Sequence, residues 1–234
     1  MKLKKAKLIR KSHRYLGLFL GVQFLFWTIS GLYFSWTDID EIHGDQFKKE
    51  NVEKTSFQDL ISFEDLNINN GIKSVEIIEI DQKPYYWINN KQLFNAENGK
   101  IKSGISEEEA IKVANSRIIE SLEIKEVNEL TEVGKHHEFR GRKLPVFAIS
   151  YKGKDNVTAY VSKINGKFLG VRHDNWRVFD FLWMTHTMDF EGRDNFNTLT
   201  LRIFSLFGLF TVISGFWLWF ISSPTIRRFK KNRN

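Results

Sequence analysis

Two long apolar stretches constrain this chain more than any other feature of its sequence. Residues 15–36 contain no formally charged side chain, and residues 203–221 contain none either. A helix rises about 1.5 Å per residue, so each stretch is long enough to cross the roughly 30 Å hydrocarbon core of a bilayer. Aromatic side chains near the helix ends are typical of membrane interfaces. The sequence therefore predicts transmembrane helices at residues 15–36 and 198–222.

A cleaved signal peptide is the alternative interpretation of the first stretch. Its apolar region is longer than the usual 7–15 residues of a signal peptide, and no small-x-small cleavage site follows it. We therefore expect this segment to remain in the protein as a membrane anchor.

The distribution of charge predicts how the two helices are oriented. Residues 1–14 contain seven Lys and Arg, residues 223–234 contain five, and neither segment contains an acid. Removing these twelve cations from the formal net charge of +7 leaves −5 for the rest of the chain. Because cytoplasmic segments are enriched in Lys and Arg, we expect both tails on the cytoplasmic side of a bacterial inner membrane. This pattern favours contact with anionic lipid in the bilayer, and we expect no nucleic-acid partner.

The segment between the helices predicts an extracytoplasmic α+β domain, residues 37–175, with antiparallel hairpins. Alternation around Val75, Ile77 and Ile80 is typical of a half-buried strand. Strand residues flank the turn-forming pair at 89–90, and two Asn-Gly-Lys turns follow strands at 98–100 and 165–167, where Gly supplies a positive φ. Later strands are expected at 144–151, 156–162 and 167–172.

Two helices are expected in this domain. The polar stretch 56–66 is the first. The second begins after Ser106, which is placed as an N-cap with Glu109 at the capping-box position. Its apolar face is formed by Ala110, Ile111, Ala114, Ile118 and Ile119.

The chain has no cysteine. This excludes disulfides, cysteine-ligated iron–sulfur clusters, thiolate zinc sites and covalently attached c-type haem. Any redox centre must therefore be held non-covalently by His, Met or oxygen ligands.

His13 is the first candidate ligand. At helical spacing it shares a stripe with Gly17, Gly21, Thr28 and Gly31, so an imidazole lies beside a surface with few side chains in the way of a flat macrocycle. The alternative is a snorkelling His with glycines that serve helix packing alone. The second transmembrane helix is expected to offer a matching face, formed by Gly208, Thr211 and Gly215.

His186 is the second candidate. It lies in residues 176–197, which predict an interfacial amphipathic helix and a linker. The expected apolar face is formed by Val178, Phe181, Leu182, Trp183 and Thr185. Asp180 and Asp189 are placed away from that face. An imidazole in such a setting needs a partner, and either a metal or a nearby carboxylate such as Asp189 would supply one.

The other four histidines are weaker candidates. His43 follows the first helix and is interpreted either as an axial ligand or as an ordinary juxtamembrane residue. His136 and His137 lie in a charged loop that we expect to be solvated. His173 follows a strand and is expected at the surface.

Five motifs together resemble a known family, the PepSY-associated transmembrane proteins. They are RKSHRYLGLFLG, ISEEEAIKVA, VSKINGKFLGV, WRVFDFLWMTHTMDF and SGFWLWF, in this order along nearly the whole chain. Larger relatives have about four transmembrane helices. Some resemble inner-membrane reductases that carry b-type haem and release iron from ferric siderophores. This chain resembles a short, two-helix form of them.

The resemblance implies haem b with His13 and His186 as axial ligands on opposite sides of the membrane. Arg14 and Arg202 are close to them in sequence and, like Arg10 and Arg177, suit haem propionates. A homodimer or a larger redox complex would restore four helices, and a ferric siderophore would be the electron acceptor. No dinucleotide fingerprint is present, so electrons would come from a partner or from quinone.

Two other functions remain open at this point. One is a non-catalytic accessory or regulatory membrane protein, whose PepSY-like domain binds a partner or inhibits a peptidase. The other is a sensor or assembly factor for an iron or copper enzyme.

Overall fold

The structure is a computed structural model that describes residues 2–50, 55–68 and 71–224, with side chains from residue 7 onward. The chain divides into two compact units. Residues 1–36 and 180–234 form a helical unit, and residues 37–179 form a second unit that contains the β-sheets. The Lys and Arg of residues 225–234, which are predicted to be cytoplasmic, lie outside the described residues, as do the lysine side chains before residue 7.

The helical unit is built from two long helices and the end of a third. The two long helices are α1 (Lys2–Trp36) and α5 (Leu199–Ser222). The third is α4 (Asp174–Thr187), of which the residues from Asp180 onward belong to this unit. α1 begins at Lys2, so the basic segment continues the helix, because Lys, Arg and Leu are good helix formers. The hydroxyl of Thr198 caps α5 by accepting from the Leu201 N–H. Lys7–Trp36 and Leu199–Ser222 are both long and apolar enough to cross a membrane.

α1 and α5 pack as an antiparallel pair. Leu20 is fully buried in this contact, and the rings of Phe19 and Phe204 stack with centroids 5.5 Å apart. A Cβ added to Gly208 would lie 3.3 Å from the ring of Phe24, so a small residue is needed there for close approach. Most other large apolar side chains of the pair are exposed, as expected for helices that face lipid.

The second unit contains two four-stranded antiparallel meanders. The first sheet has the order β1 (Val75–Ile80), β2 (Lys83–Ile88), β3 (Gln92–Asn95) and β4 (Ile101–Lys102). The second has the order β5 (Ile124–Leu130), β6 (Val146–Tyr151), β7 (Thr158–Ser162) and β8 (Phe168–Arg172). A short helix, α2 (Ile39–Ile42), precedes them, and α3 (Glu107–Arg117) connects the two sheets. The predicted α+β domain with antiparallel hairpins is thus present.

The predicted turns are confirmed. Asn89 and Asn90 have φ of +53° and +56°, the left-handed values expected at the centre of the tight turn in which the Lys91 N–H donates to the carbonyl of Ile88. Gly99 and Gly166, in the two Asn-Gly-Lys turns, have φ of +69° and +71°. Gly166 is constrained twice, because a Cβ there would also lie 2.7 Å from Ile80. This turn therefore packs directly onto the first sheet.

α3 confirms the predicted capping box, with Ser106 and Glu109 bonded reciprocally. Its buried face is Ala110, Val113 and Ala114. The helix ends at Arg117, earlier than predicted, and Ile118 is extended and bridges to Lys48. Ile119 is therefore not on the helical face, and Ile111 is only partly buried because Val113 takes the central position. The core joins this face to side chains of both sheets.

Two other local predictions are wrong. Residues 56–66 form no α-helix; they contain only a 3-10 turn, Phe63–Asp65, because the segment lies along the first sheet and buries Leu66 there. The hydroxyl of Tyr86 donates to the carbonyl of Ile61 and holds the segment in place. The second wrong prediction concerns which residues of β1 are buried. Ile78 and Ile80 are buried, whereas Val75 and Ile77 are exposed. Residues an odd number of positions apart face opposite sides of a strand, so Ile77 and Ile80 cannot share one face.

Candidate functional site

His13 lies where α1 meets the C-terminal half of α5. Its Nδ1 is 2.8 Å from the hydroxyl of Ser214. A Cβ added to the neighbouring Gly215 would lie 3.2 Å from Cε1 of the ring. Gly215 therefore lets the imidazole approach α5 closely, and a side chain at this position would force the ring to shift. The predicted matching face of Gly208, Thr211 and Gly215 is confirmed as the side of α5 that meets α1.

An apolar groove of about 540 Å³ opens beside this ring. It is lined by His13, Thr211, Val212, Gly215, Phe216 and Trp219. This volume is within the range of small-molecule sites, roughly 300–1,000 Å³. The imidazole is the main polar group in the groove, so a ligand that enters it would be apolar except for an atom that binds nitrogen.

The glycines of α1 do not pack against α5. The stripe was expected to face the second helix or a cofactor. A Cβ on Gly17, Gly21 or Gly31 would meet no atom within 4 Å, so these glycines do not face the second helix, although His13 of the same stripe contacts α5. The reason is that the contact uses the neighbouring row of α1, on which Leu20 and Phe24 project. The alternative, that the stripe faces a cofactor, stays a prediction.

His186 lies in the last turn of α4 and is held by α1. Its Nδ1 is 2.7 Å from the hydroxyl of Ser30, which is fully buried. The ring of Phe34 meets the imidazole edge to face, with centroids 5.6 Å apart. Burial lowers the pKa of His186 below its ordinary value, which favours the neutral imidazole.

Asp189, the carboxylate considered as a partner of His186, has another role. It accepts hydrogen bonds from the backbone N–H groups of Glu191, Gly192 and Asn195. These bonds close the loop between α4 and α5 and hold the pKa of Asp189 below its usual value, against the effect of burial. The partner of His186 is therefore the serine on α1 and not this carboxylate.

Two further side chains of α1 bind the end of α4. The amide of Gln23 donates to the carbonyl of Thr185, at 2.9 Å, and the indole N–H of Trp27 donates to the carbonyl of His186, at 2.7 Å. The last carbonyls of a helix have no partner within it, so these donors satisfy groups that would otherwise be buried without one. Gln23, Trp27, Ser30 and Phe34 form one face of α1 that positions His186.

The predicted faces of α4 are wrong in part. Asp180 is buried and forms an ion pair with Arg193, whereas Val178 and Phe181 are about half exposed. The pairing neutralises the carboxylate, which removes the reason for it to face water. Thr185 is buried as predicted.

The two candidate histidines occupy separate places in the helical unit. His13 and Ser30, the partner of His186, are both on α1 and are 17 residues apart in sequence. At about 1.5 Å per residue this corresponds to roughly 25 Å along the helix. One iron ion cannot be bound by both imidazoles of the same chain.

The predicted arginines differ in what they contact. Arg14 is exposed with its guanidinium 5.2 Å from the centroid of the Tyr15 ring. Arg202, in the first turn of α5, is exposed and bonds to the side chain of Asn197 at 3.4 Å. Arg177 in the second unit is occupied by two carboxylates, so it is not available to a propionate.

The second unit contains the remaining histidines. His43 is exposed at the C-cap of α2. The surface position predicted for His173 is wrong: it is 1% exposed, its Nε2 is 3.1 Å from the carbonyl of Ile42, and its ring packs on Phe47. A histidine that shares a hydrogen bond with a buried carbonyl is a structural residue.

The loop with His136 and His137 is anchored, although it was predicted to be solvated. His137 accepts from the N–H of Phe139, a residue that is 1% exposed. Glu138 accepts from the hydroxyl of Tyr160 and pairs with Arg177. Burial and this hydrogen bond raise the pKa of Tyr160. In the described part of the chain, no three His, Asp or Glu side chains converge as a non-haem metal site would require.

Sequence reasoning missed Ser30, Ser214, Gln23 and Trp27. A signal for them was available: a polar side chain inside an apolar span is costly unless it has a partner, and both serines and Gln23 lie inside the spans.

Comparison with known proteins identifies one family whose model matches this chain. The model of the PepSY-associated TM region matches residues 10–234. No curated protein and no solved structure matches the chain. The matched region includes α1 from residue 10 onward, all of α5, and the two-sheet domain between them. The chain therefore belongs to the family of PepSY-associated transmembrane proteins.

Proposed function

We propose that this protein is anchored in the membrane and binds b-type haem through His13 and His186. It passes electrons across the membrane to ferric iron, as in the release of iron from a siderophore. The observation that carries the proposal is the shared setting of the two imidazoles. Each is held through Nδ1 by a serine of a neighbouring helix, and within the described residues neither Nε2 makes a hydrogen bond. Neutral imidazole nitrogen is an ordinary axial haem ligand.

Membrane anchoring is supported by the length and surface of the helices. The 24 residues of α5 correspond to about 36 Å, slightly more than the hydrocarbon core of a bilayer. Their outward side chains are mostly large and apolar. With the basic tails inside, His13 lies towards the cytoplasm and His186 towards the outside of the inner membrane.

The surroundings of His13 fit a porphyrin. The groove beside it is apolar. By helical spacing Gly17 and Gly21 lie on the same face of α1 as His13, and their positions open onto free space. A porphyrin buries two apolar faces, and such burial contributes about 25 cal/mol per Å². Haem would supply one-electron redox chemistry, while the chain would supply the ligand nitrogen and exclude water. Arg14 and Arg202 are exposed, and their guanidinium groups would be the candidates to bind the propionates.

One chain offers a single imidazole at each place. A homodimer would bring two copies of His13 together and two copies of His186 together, so that each site would offer two imidazoles to haem. His43 remains an alternative second ligand on the outer side. A larger membrane redox complex would serve the same purpose and would also bring the electron donor.

The test is the absorbance of the purified full-length protein. We expect a reduced α-band of the b type in the wild type, and loss of a different part of the haem in His13→Ala and in His186→Ala. His136→Ala, an exposed histidine of the other unit, is the matched control and should keep all the haem. If both ligand variants retain the full haem content, the histidines are structural and the accessory-protein function becomes the better explanation.

A further inference from the structure

The two serines that hold the candidate ligands have the same pair of contacts. Ser214 Oγ is 2.8 Å from the carbonyl of Thr211 and 2.8 Å from Nδ1 of His13. Ser30 Oγ is 2.7 Å from the carbonyl of Phe26 and 2.7 Å from Nδ1 of His186. Each hydroxyl therefore joins its own helix backbone to an imidazole on another helix.

The number of available protons decides the direction of these bonds. A hydroxyl carries one proton, and a carbonyl oxygen can only accept. The short contact to the carbonyl must use the serine proton, so the contact to Nδ1 must use a proton on the imidazole. A ring that carries a single proton is then the Nδ1–H tautomer, and its lone pair is on Nε2.

We propose that Ser30 and Ser214 are positioning residues that fix the Nδ1–H tautomer of His186 and His13 and so present Nε2 for ligation. The proposal rests on the proposed function for what Nε2 binds, but the tautomer is a property of the chain alone. The same arrangement occurs at both sites, although the serines are on different helices.

The effect on ligand binding follows from general metal-site chemistry. A ligating histidine almost always donates its other N–H to a fixed acceptor, which sets ring orientation and raises the basicity of the ligating nitrogen. Loss of such an acceptor typically lowers metal affinity about 10–100-fold. We expect Ser214→Ala to weaken haem binding at His13 by that factor, and Ser30→Ala to do so at His186.

The direct test measures the tautomers without haem. Full-length haem-free protein, labelled with ¹⁵N in histidine and placed in lipid nanodiscs, reports Nδ1–H and Nε2–H forms by their ¹⁵N shifts, with His13→Gln and His186→Gln as assignment variants. We expect Nδ1–H signals for both residues in the wild type. Ser214→Ala should move His13 alone towards the Nε2–H form, and Ser30→Ala should move His186 alone.

The chain offers matched controls. Ser222 on α5 and Ser35 on α1 make the same hydroxyl contact to their own helix carbonyls, to Leu218 and Leu32 at 2.7 and 2.8 Å. Ser222→Ala and Ser35→Ala should leave both tautomers unchanged. Ser214→Thr keeps a hydroxyl that can bond the preceding turn, so it should restore the Nδ1–H form where Ser214→Ala removes it.

Two outcomes would overturn the proposal: Nε2–H forms at both residues in the wild type, or Nδ1–H forms that persist in both alanine variants. A haem titration of the same samples tests the proposed function independently of the tautomers. Nδ1–H signals together with no haem uptake would support the serine assignment and contradict haem binding.

Discussion

At the scale of single residues, Gly215 on α5 and Gly17 on α1 have different surroundings. Gly215 belongs to the contact between the helices, because a Cβ there would lie 3.2 Å from Cε1 of the imidazole and the ring would have to shift. Gly17 is not required for that contact, since its position opens onto space. Substitutions at the two glycines therefore distinguish an effect on helix packing from an effect on the proposed binding of haem.

Gly17→Leu should keep the α1–α5 pair folded and reduce haem content, because the new side chain would project into space that a porphyrin would use. The checks are haem per chain and the thermal unfolding midpoint. Leu18→Ala, at a position 76% exposed, is the control and should change neither strongly. A Gly17→Leu variant that unfolds early but binds haem normally would reverse this assignment.

At the scale of elements, the end of α4 is held by donors from α1. Trp27→Phe removes the indole N–H and leaves the carbonyl of His186 without that donor. A lost buried hydrogen bond of this kind costs about 1–3 kcal/mol. We expect a lower unfolding midpoint and faster amide exchange in α4. Trp36→Phe, at an 81% exposed position, should have little effect, and equal effects of the two changes would argue against the docking of α4 on α1.

Much of each element could be predicted from the sequence, because the signals are local. The capping box at Ser106 and Glu109 and the Asn-Gly-Lys turns depend on residues a few positions apart. The contacts that define the candidate site are not local: Ser30 and His186 are 156 residues apart in sequence, and His13 and Ser214 are 201 apart. Periodicity shows which residues share a face of one helix, but not which helix meets that face.

The errors have the same origin. The apolar residues of α4 indicated a buried side, but Asp180 faces inward because Arg193, thirteen residues later, pairs with it. The polar stretch 56–66 has helix-forming composition, yet its apolar side chains bind a sheet that is formed later in the sequence. In both cases a tertiary contact outweighs a local preference.

At the scale of the whole molecule, the proposal requires the two termini on the side of the membrane opposite to the domain. Reporter fusions at Asn98 and Asn234 should report opposite compartments, with Asn98 outside, because the twelve tail cations favour the cytoplasm. Fusions that report the same compartment would contradict the topology and, with it, the placement of His13 and His186 on opposite sides.

The central claim is that the protein carries electrons across a membrane, and proteoliposomes test it directly. Dithionite would be trapped inside, with a ferric chelate outside and a potassium ionophore to compensate the charge. We predict that haem-loaded wild-type protein reduces the external ferric iron faster than protein-free vesicles do. His13→Ala and His186→Ala should each lower that rate, because each interrupts one side of the path. A haem-loaded wild type no faster than empty vesicles would contradict the account.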